Sequence, residues 1–131
     1  MKREPVFLTL AEIIEIHEYQ IERFGGSDGL RSLDLLNSAI GMPSSTFNGN
    51  YLHPAIPDMA AAYLFHIVGN HPFLDGNKRV GTMSALVFLE MNGYDFDAND
   101  DELTAVVLLV ASGKMLKDEL SLFFRQHSRR R

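Results

Sequence analysis

The sequence has no cysteine among its 131 residues, so disulfide bonds and thiolate metal sites are both excluded. No apolar run reaches the ~18 residues that a membrane-spanning helix needs. Basic residues are fewer than acidic ones, 12 against 17, and the net charge of −5 argues against direct nucleic-acid binding. We therefore expect a soluble, cytoplasmic protein without membrane contact, formed by a single domain over residues 1–131.

Strand signals are also scarce, because no convincing run alternates polar and apolar residues, whereas helix signals follow one another along the chain. Thr9 and Glu12 have the spacing of a capping box, and Gly25-Gly26 ends the helix that follows. Further helices are predicted at about 33–40, 57–68, 77–92, 103–110 and 116–126. The sequence therefore predicts an all-α fold, a single compact bundle of about six helices. We expect the basic tail over 127–131 to be flexible.

A long connection rich in turn residues separates the second and third predicted helices. In a compact domain, a loop of this length is usually functional or mobile. Asn48-Gly49 lies between Phe47 and Tyr51, which favours a tight hairpin turn. We expect a flap-like loop or a small hairpin near 44–56.

The turn between the two most apolar predicted helices concentrates polar groups, and from Asn70 to Arg79 it reads NHPFLDGNKR. Buried polar groups need a partner or a ligand, so this is a costly position for them. Gly76 and Asn77 stand at the predicted start of a helix, where free N–H groups and the helix dipole attract anions. Lys78 and Arg79 are unfavourable against the same dipole unless an anion compensates. The turn is therefore a candidate phosphate site.

Two further side chains of this turn indicate its chemistry. Asp75 would lie beside the phosphates, where a carboxylate usually implies Mg²⁺. His71 is four residues from Asp75, and its imidazole could accept a proton from an incoming hydroxyl group. A base, a metal ligand and a phosphate cradle together indicate phosphoryl or nucleotidyl transfer. The structural alternative is that His71-Pro72 ends one helix while Asp75 and Asn77 cap the next, which explains any one residue better than the whole set.

The segment His71–Arg79, HPFLDGNKR, resembles the signature of the Fic/Doc family, HPFx(D/E)GN followed by GR or KR. The resemblance covers most of the chain, since residues 44–54 are similar to the family's flap and Phe88–Tyr94 is similar to the end of its following helix. Lys78 in place of glycine, together with the short chain, is most similar to the death-on-curing (Doc) branch, the toxins of type II toxin–antitoxin systems.

The resemblance implies an all-helical fold and an ATP-dependent transferase that modifies a hydroxyl group of another protein. It implies that His71 is the catalytic base and that Asp75 is the carboxylate linked to Mg²⁺. The residues that it implies hold the phosphates of ATP are Gly76, Asn77, Lys78 and Arg79. The flap residues that would position the target protein are Thr46, Phe47, Asn48 and Gly49.

Two departures from family patterns bear on the reaction and its control. The adenylylating branch commonly carries a second arginine three residues after the first, and here that position is Thr82. Members inhibited in cis carry an (S/T)xxxE(G/N) helix, a pattern that this sequence does not contain. We therefore expect a cognate antitoxin in trans, which lays an amphipathic helix into a groove near the first helix and the flap.

The sequence thus favours a Doc-like toxin that transfers a phosphoryl group from ATP to a host protein and so arrests growth. A translation factor is the target class that the resemblance suggests. The alternative enzymatic interpretation is AMP transfer by the same site. The non-enzymatic interpretation is a helical module that only binds a partner peptide.

Overall fold

The computed structural model describes residues 4–131, and most of them are helical. Within this range the helices are α1 Leu10–Phe24, α2 Leu33–Gly41, α3 Ile56–Asn70, α4 Asn77–Met91, α5 Asp100–Ala111 and α6 Lys117–His127. The strands of the same range are β1 Thr46–Phe47, β2 Asn50–Tyr51, β3 Tyr94–Phe96 and β4 Ser128–Arg130. The predicted all-α fold of about six helices is confirmed. None of the helices between residues 4 and 131 is long and apolar enough to cross a bilayer.

Local capping determines where several helices begin. The hydroxyl of Thr9 accepts a hydrogen bond from the backbone of Glu12 at 3.1 Å, and the Glu12 carboxylate accepts one from the Thr9 N–H at 2.9 Å. This is the capping box that the sequence predicted. Asn99 caps α5 through the N–H of Glu102, so α5 begins at Asp100 rather than near Leu103.

Helices α3 and α4 pack against each other at the centre of the bundle. Helices α2 and α6 lie against α3, α1 lies against α4, and α5 contacts both central helices. Both central helices are apolar on nearly all sides, which is typical of a helix buried inside a bundle. Gly81 permits their close approach, since a Cβ atom there would lie 3.0 Å from Cγ2 of Val68. The polar turn is therefore held between the two most deeply buried helices.

The connection between α2 and α3 forms a small hairpin, as the sequence predicted. Thr46 pairs with Tyr51 and Phe47 pairs with Asn50 across antiparallel strands β1 and β2. Asn48 and Gly49 form the tight turn with φ angles of +51° and +80°. The flap is therefore an exposed hairpin.

Part of the basic tail over 127–131, for which the sequence predicts flexibility, forms strand β4 in the structure. Strand β4 pairs antiparallel with β3, although the two strands are far apart in the sequence. Arg129 Nε lies 3.3 Å from Asp97 Oδ2, and Arg131 Nη1 lies 2.7 Å from Asp95 Oδ1. The arginine run, typical of a solvated tail, instead forms ion pairs with carboxylates that follow α4.

Candidate active site

The backbone of the turn between α3 and α4 is sharply bent at both ends. Helix α3 ends at Asn70, and the next residue, His71, has the left-handed angles φ +52° and ψ +54°. A residue with a side chain adopts this conformation at an energetic cost, and such residues are concentrated at functional sites. Helix α4 begins after Gly76, at φ +81°, and this N-cap residue has no side chain to accept hydrogen bonds from the helix. Its first N–H groups are therefore available to an anion.

A cavity of 340 Å³ lies over this turn, within the range of about 300–1,000 Å³ that is typical of small-molecule sites. The sequence-predicted residues that line it are His71, Asp75, Gly76, Asn77, Lys78 and Arg79. The structure thus brings the candidate base, metal ligand and phosphate residues to one cavity. Flap residues Thr46–Gly49 do not belong to its lining. The roles assigned to all these residues stay predictions.

The carboxylate of Asp75 is exposed in the cavity but fixed by the backbone. One oxygen accepts a hydrogen bond from the Ser27 N–H at 3.2 Å and the other from the Gly76 N–H at 2.8 Å. These two hydrogen bonds lower the pKa of Asp75 below its usual value, and the bond from Ser27 has the larger effect. A Cβ atom at Gly26 would lie 2.5 Å from Oδ2 of Asp75, so glycine lets the two segments meet.

The environment of Asp75 fits a magnesium ion that is shared with a substrate. The carboxylate is ionised at neutral pH, and each oxygen has a lone pair besides the one used by the backbone. No cluster of three or more acidic or histidine side chains within residues 4–131 is placed to hold a metal. Mg²⁺ is commonly bound by one or two carboxylates together with substrate phosphates, so one carboxylate suffices here.

Two predicted phosphate residues direct their side chains toward the protein. The buried Asn77 amide donates to the Phe73 carbonyl at 3.0 Å and accepts from the Phe73 N–H at 2.9 Å. The Arg79 guanidinium donates to the carbonyls of Gly25 at 3.0 Å and Gln20 at 3.4 Å, at the C-terminal end of α1. Asn77 can therefore reach an anion only through its backbone N–H. The side chain of Lys78, in contrast, is exposed at the cavity.

The segment between α1 and α2, residues 25–32, lies along the turn and was not predicted as part of the site. The N–H of Arg31 donates to the Pro72 carbonyl at 2.7 Å, and the N–H of Leu74 donates to the Gly29 carbonyl at 3.1 Å. A bridge between Leu30 and Phe73 lies between these bonds. The segment therefore supports the turn as a short antiparallel partner, which we call the backing segment.

His17 supports the same turn from α1. Its ring is only 2% exposed and stacks on Phe73, with ring centroids 3.9 Å apart. Nε2 donates to the carbonyl oxygen of Asp75 at 2.9 Å. The only signal in the sequence is the place of His17 on the apolar stripe of α1. The turn is thus fixed from two sides before any ligand binds.

A second cluster of titratable side chains lies where the chain after the flap meets α3 and α6. The ammonium group of Lys117 donates to Nε2 of His53 at 3.1 Å and to Nε2 of His66 at 2.9 Å. Burial is the largest cause that lowers the pKa of all three groups, and it brings the pKa of His66 to about 4. Both imidazoles are therefore neutral at pH 7 and share one cation.

An apolar groove adjoins the cavity on the far side of Lys78 and Arg79. It lies between α1, α4 and α5, has a volume of 380 Å³, and is lined by Phe24, Met83 and Leu108 among others. The predicted partner groove was expected beside the first helix and the flap. The observed groove does border α1, but the flap is not part of its lining.

A helical bundle whose two central helices are joined by an HPFLDGN turn, with basic and acidic groups around one cavity, has the architecture that the sequence resemblance implies. The model of the Fic/DOC family matches residues 7–89, and the chain belongs to this family. The matched region contains α1, the backing segment, the flap and the complete turn. The predicted resemblance is therefore confirmed.

Two curated relatives show how far the similarity extends. The chain is 38% identical over 78 residues to Toxin Doc of Mycolicibacterium smegmatis, a match that spans 60% of either chain. It is 32% identical over 108 residues to Protein kinase doc of Escherichia phage P1, across 79% of this chain and 81% of the phage protein. The shorter match covers less than two thirds of the length of the mycobacterial toxin.

Proposed function

We propose that this protein is a Doc-like toxin that transfers the γ-phosphoryl group of ATP to a hydroxyl group of a host protein. The observation that carries the proposal is the single cavity lined by His71, Asp75 and the N-terminus of α4. The names of the two relatives, a toxin and a protein kinase, support the same interpretation. Modification of a translation factor would arrest growth.

In this reaction His71 accepts the proton of the target hydroxyl group. The hydroxyl oxygen forms a bond to the γ-phosphorus while the bond from that phosphorus to the β–γ bridging oxygen breaks, and ADP leaves. The first N–H groups of α4 and the ammonium group of Lys78 stabilise the phosphate charge. Mg²⁺, held by Asp75 when bound, would supply further charge neutralisation. Asn77 and Arg79 keep the turn and α1 in place around the nucleotide.

AMP transfer by the same cavity is the second candidate. It needs the pyrophosphate leaving group to be held, and the second arginine that would do this is replaced by Thr82. The Thr82 hydroxyl is neutral and donates to the Lys78 carbonyl within α4 at 2.8 Å, so this position supplies no charge to hold a leaving group. Lys78 also adds a side chain where a glycine would let inner phosphates lie close to the helix. Both differences favour attack at the γ-phosphorus.

Labelled ATP distinguishes the candidates. The purified protein is incubated with a bacterial translation extract and ATP labelled at either the γ or the α position. We expect a labelled protein band with γ-label only, and a loss of about 10²–10⁴-fold in rate for His71→Ala, which retains its fold and ATP binding. Labelling by α-label, with an adenylyl mass on the target, would establish the second candidate. Absence of both labels with the unaltered protein would favour the peptide-binding module.

We also propose that a separate antitoxin inhibits this protein. The sequence contains no cis-inhibitory pattern, and the groove between α1, α4 and α5 exposes apolar side chains beside Lys78 and Arg79. An amphipathic helix of the antitoxin would bury these side chains.

A further inference from the structure

We propose that Arg31 is a positioning residue for His71, which acts through the backbone of the turn and not on the substrate. The inference rests on the role of His71 as base in the proposed function. Arg31 belongs to the backing segment and does not line the cavity. Its role follows from the carbonyl groups to which it donates hydrogen bonds.

Arg31 binds three successive carbonyl groups at the point where α3 ends. Its Nε donates to the carbonyl of His71 at 2.7 Å, and its Nη2 donates to the carbonyl of Asn70 at 2.9 Å. Its backbone N–H donates to the carbonyl of Pro72 at 2.7 Å. The residue thus fixes the peptide groups on both sides of the His71 α-carbon.

The charge and shape of the guanidinium suit this position. The last carbonyls of a helix lack intrahelical partners and form the negative end of its dipole, so a cation there is favourable. Hydrogen bonds from a charged donor are short and strong, and the 2.7 Å bond to His71 is of this kind. A planar fork can also serve two carbonyls together, which a single ammonium group does less well.

We call the three hydrogen bonds from Arg31 the clamp. They affect the direction of the His71 imidazole. His71 has φ +52°, a conformation that a side chain disfavours and that surrounding contacts must maintain. Rotation of this backbone toward the common right-handed region would carry the Cβ atom, and with it the imidazole, away from its present direction. Arg31 opposes that rotation. It therefore determines how often the ring points at the substrate hydroxyl group.

The first test measures steady-state phosphoryl transfer by Arg31→Ala and Arg31→Lys, with Arg130→Ala as a matched control on exposed strand β4. We expect Arg31→Ala to lower kcat by about 10²-fold, because a small misplacement of a catalytic group costs that much, with little change in the KM for ATP. Arg31→Lys should recover part of the loss, and Arg130→Ala should behave as the unaltered protein. An unchanged kcat in folded Arg31→Ala would overturn the proposal.

The second test needs no enzymatic activity. The ring resonances of His71 are assigned by comparison with His71→Ala in a two-dimensional ¹H–¹³C NMR spectrum. We expect them to shift and broaden in Arg31→Ala and to do so less in Arg31→Lys, whereas a purely structural role would lower the melting temperature and leave them in place. If Arg31→Ala does not fold, the Arg31→Lys and Arg31→Gln variants decide by the same comparison, and unshifted His71 signals refute the clamp.

The two tests separate this inference from the proposed function. An unaltered protein that transfers no label contradicts the proposed function, while the NMR comparison still judges the clamp. An active unaltered protein with an inactive His71→Ala and a fully active Arg31→Ala contradicts the clamp alone.

Discussion

The burial of His66 beside the ammonium group of Lys117 makes the stability of the fold depend on pH. Burial and then the charge of Lys117 lower the pKa of His66 from 6.5 to about 4. As the pH falls below 6.5, the unfolded chain takes up a proton at this residue and the folded chain does not. The folded state therefore loses stability as the pH falls from 6.5 toward 4.

We predict that His66→Gln removes part of this loss. Between about pH 7 and pH 5, the free energy of unfolding should fall by about 1 kcal/mol less in the variant than in the unaltered protein, since the ring is only partly buried. Urea denaturation at the two pH values measures the difference. Lys117→Met should also raise the pKa of His66 in an NMR titration, with the exposed Lys114→Met as control. Equal pH dependence in all these proteins would contradict the argument.

The directions of Asn77 and Arg79 show what a short motif can predict about a site. The motif residues His71, Asp75 and 76–79 lie at one cavity because they are neighbours in the sequence, and the roles predicted for them stay predictions. It does not predict that the Arg79 guanidinium reaches α1, since its partners Gly25 and Gln20 lie 54 and 59 positions away. Side-chain direction depends on that packing, and the sequence gives no local signal for it.

At the level of helices, the exposed apolar groove between α1, α4 and α5 suggests a test of the antitoxin proposal. Leu108 on α5 lines the groove and is 53% exposed. We predict that Leu108→Glu weakens binding of the proposed cognate antitoxin at least tenfold, because an apolar contact would be replaced by a carboxylate that must be desolvated. Isothermal titration measures the affinity.

The matched control for this prediction is Leu122→Glu. Leu122 lies on α6, is 49% exposed, and does not line the groove. The Leu122→Glu substitution should leave the affinity for the antitoxin unchanged. If both variants bind equally well, the partner does not occupy the groove.

Helix bounds were more predictable than strand pairs, for a physical reason. Capping by Thr9 involves residues within one turn of the helix, so the signal is local. Strands β3 and β4 are three residues each and pair across the whole of α5 and α6. Their stability comes from that pairing and from ion pairs of Arg129 and Arg131 with distant carboxylates, which no short segment specifies.

For the molecule as a whole, the close packing of α3 on α4 requires a residue without a side chain at position 81. A Cβ atom at Gly81 would lie 3.0 Å from a methyl group of Val68 and 3.4 Å from the Leu64 carbonyl oxygen. We predict that Gly81→Ala lowers the free energy of unfolding by about 1–3 kcal/mol through overpacking. Chemical denaturation followed by circular dichroism provides the measurement.

Gly69 offers the matched control on α3, because a Cβ atom there would meet no described atom within 4 Å. Gly69→Ala should stabilise the protein by about 0.5–1 kcal/mol through helix propensity. Destabilisation of the same size by both substitutions would show that the helix spacing is not the cause.

The sequence predicted the fold well because two helices are apolar on nearly all sides and the others have one apolar face. It also predicted one half of the candidate site, the turn. The other half, the backing segment, contributes mainly backbone groups such as the carbonyl of Gly29 and the N–H of Ser27. Every residue except proline carries both groups, so the side-chain pattern could not distinguish them.

The backing segment also limits how the chain can change in length during evolution. Ser27 donates a hydrogen bond to Asp75, and Arg31 donates hydrogen bonds to His71 and Pro72. These two anchors are only four positions apart, and they fix the register of the backing segment against the turn. One inserted residue between them would displace one anchor by up to about 3.8 Å and break its hydrogen bonds. Insertions at the exposed turn between α5 and α6 would disturb no contact of this kind. Descendants that keep this chemistry should therefore differ in length at the outer turns and not between α1 and α2.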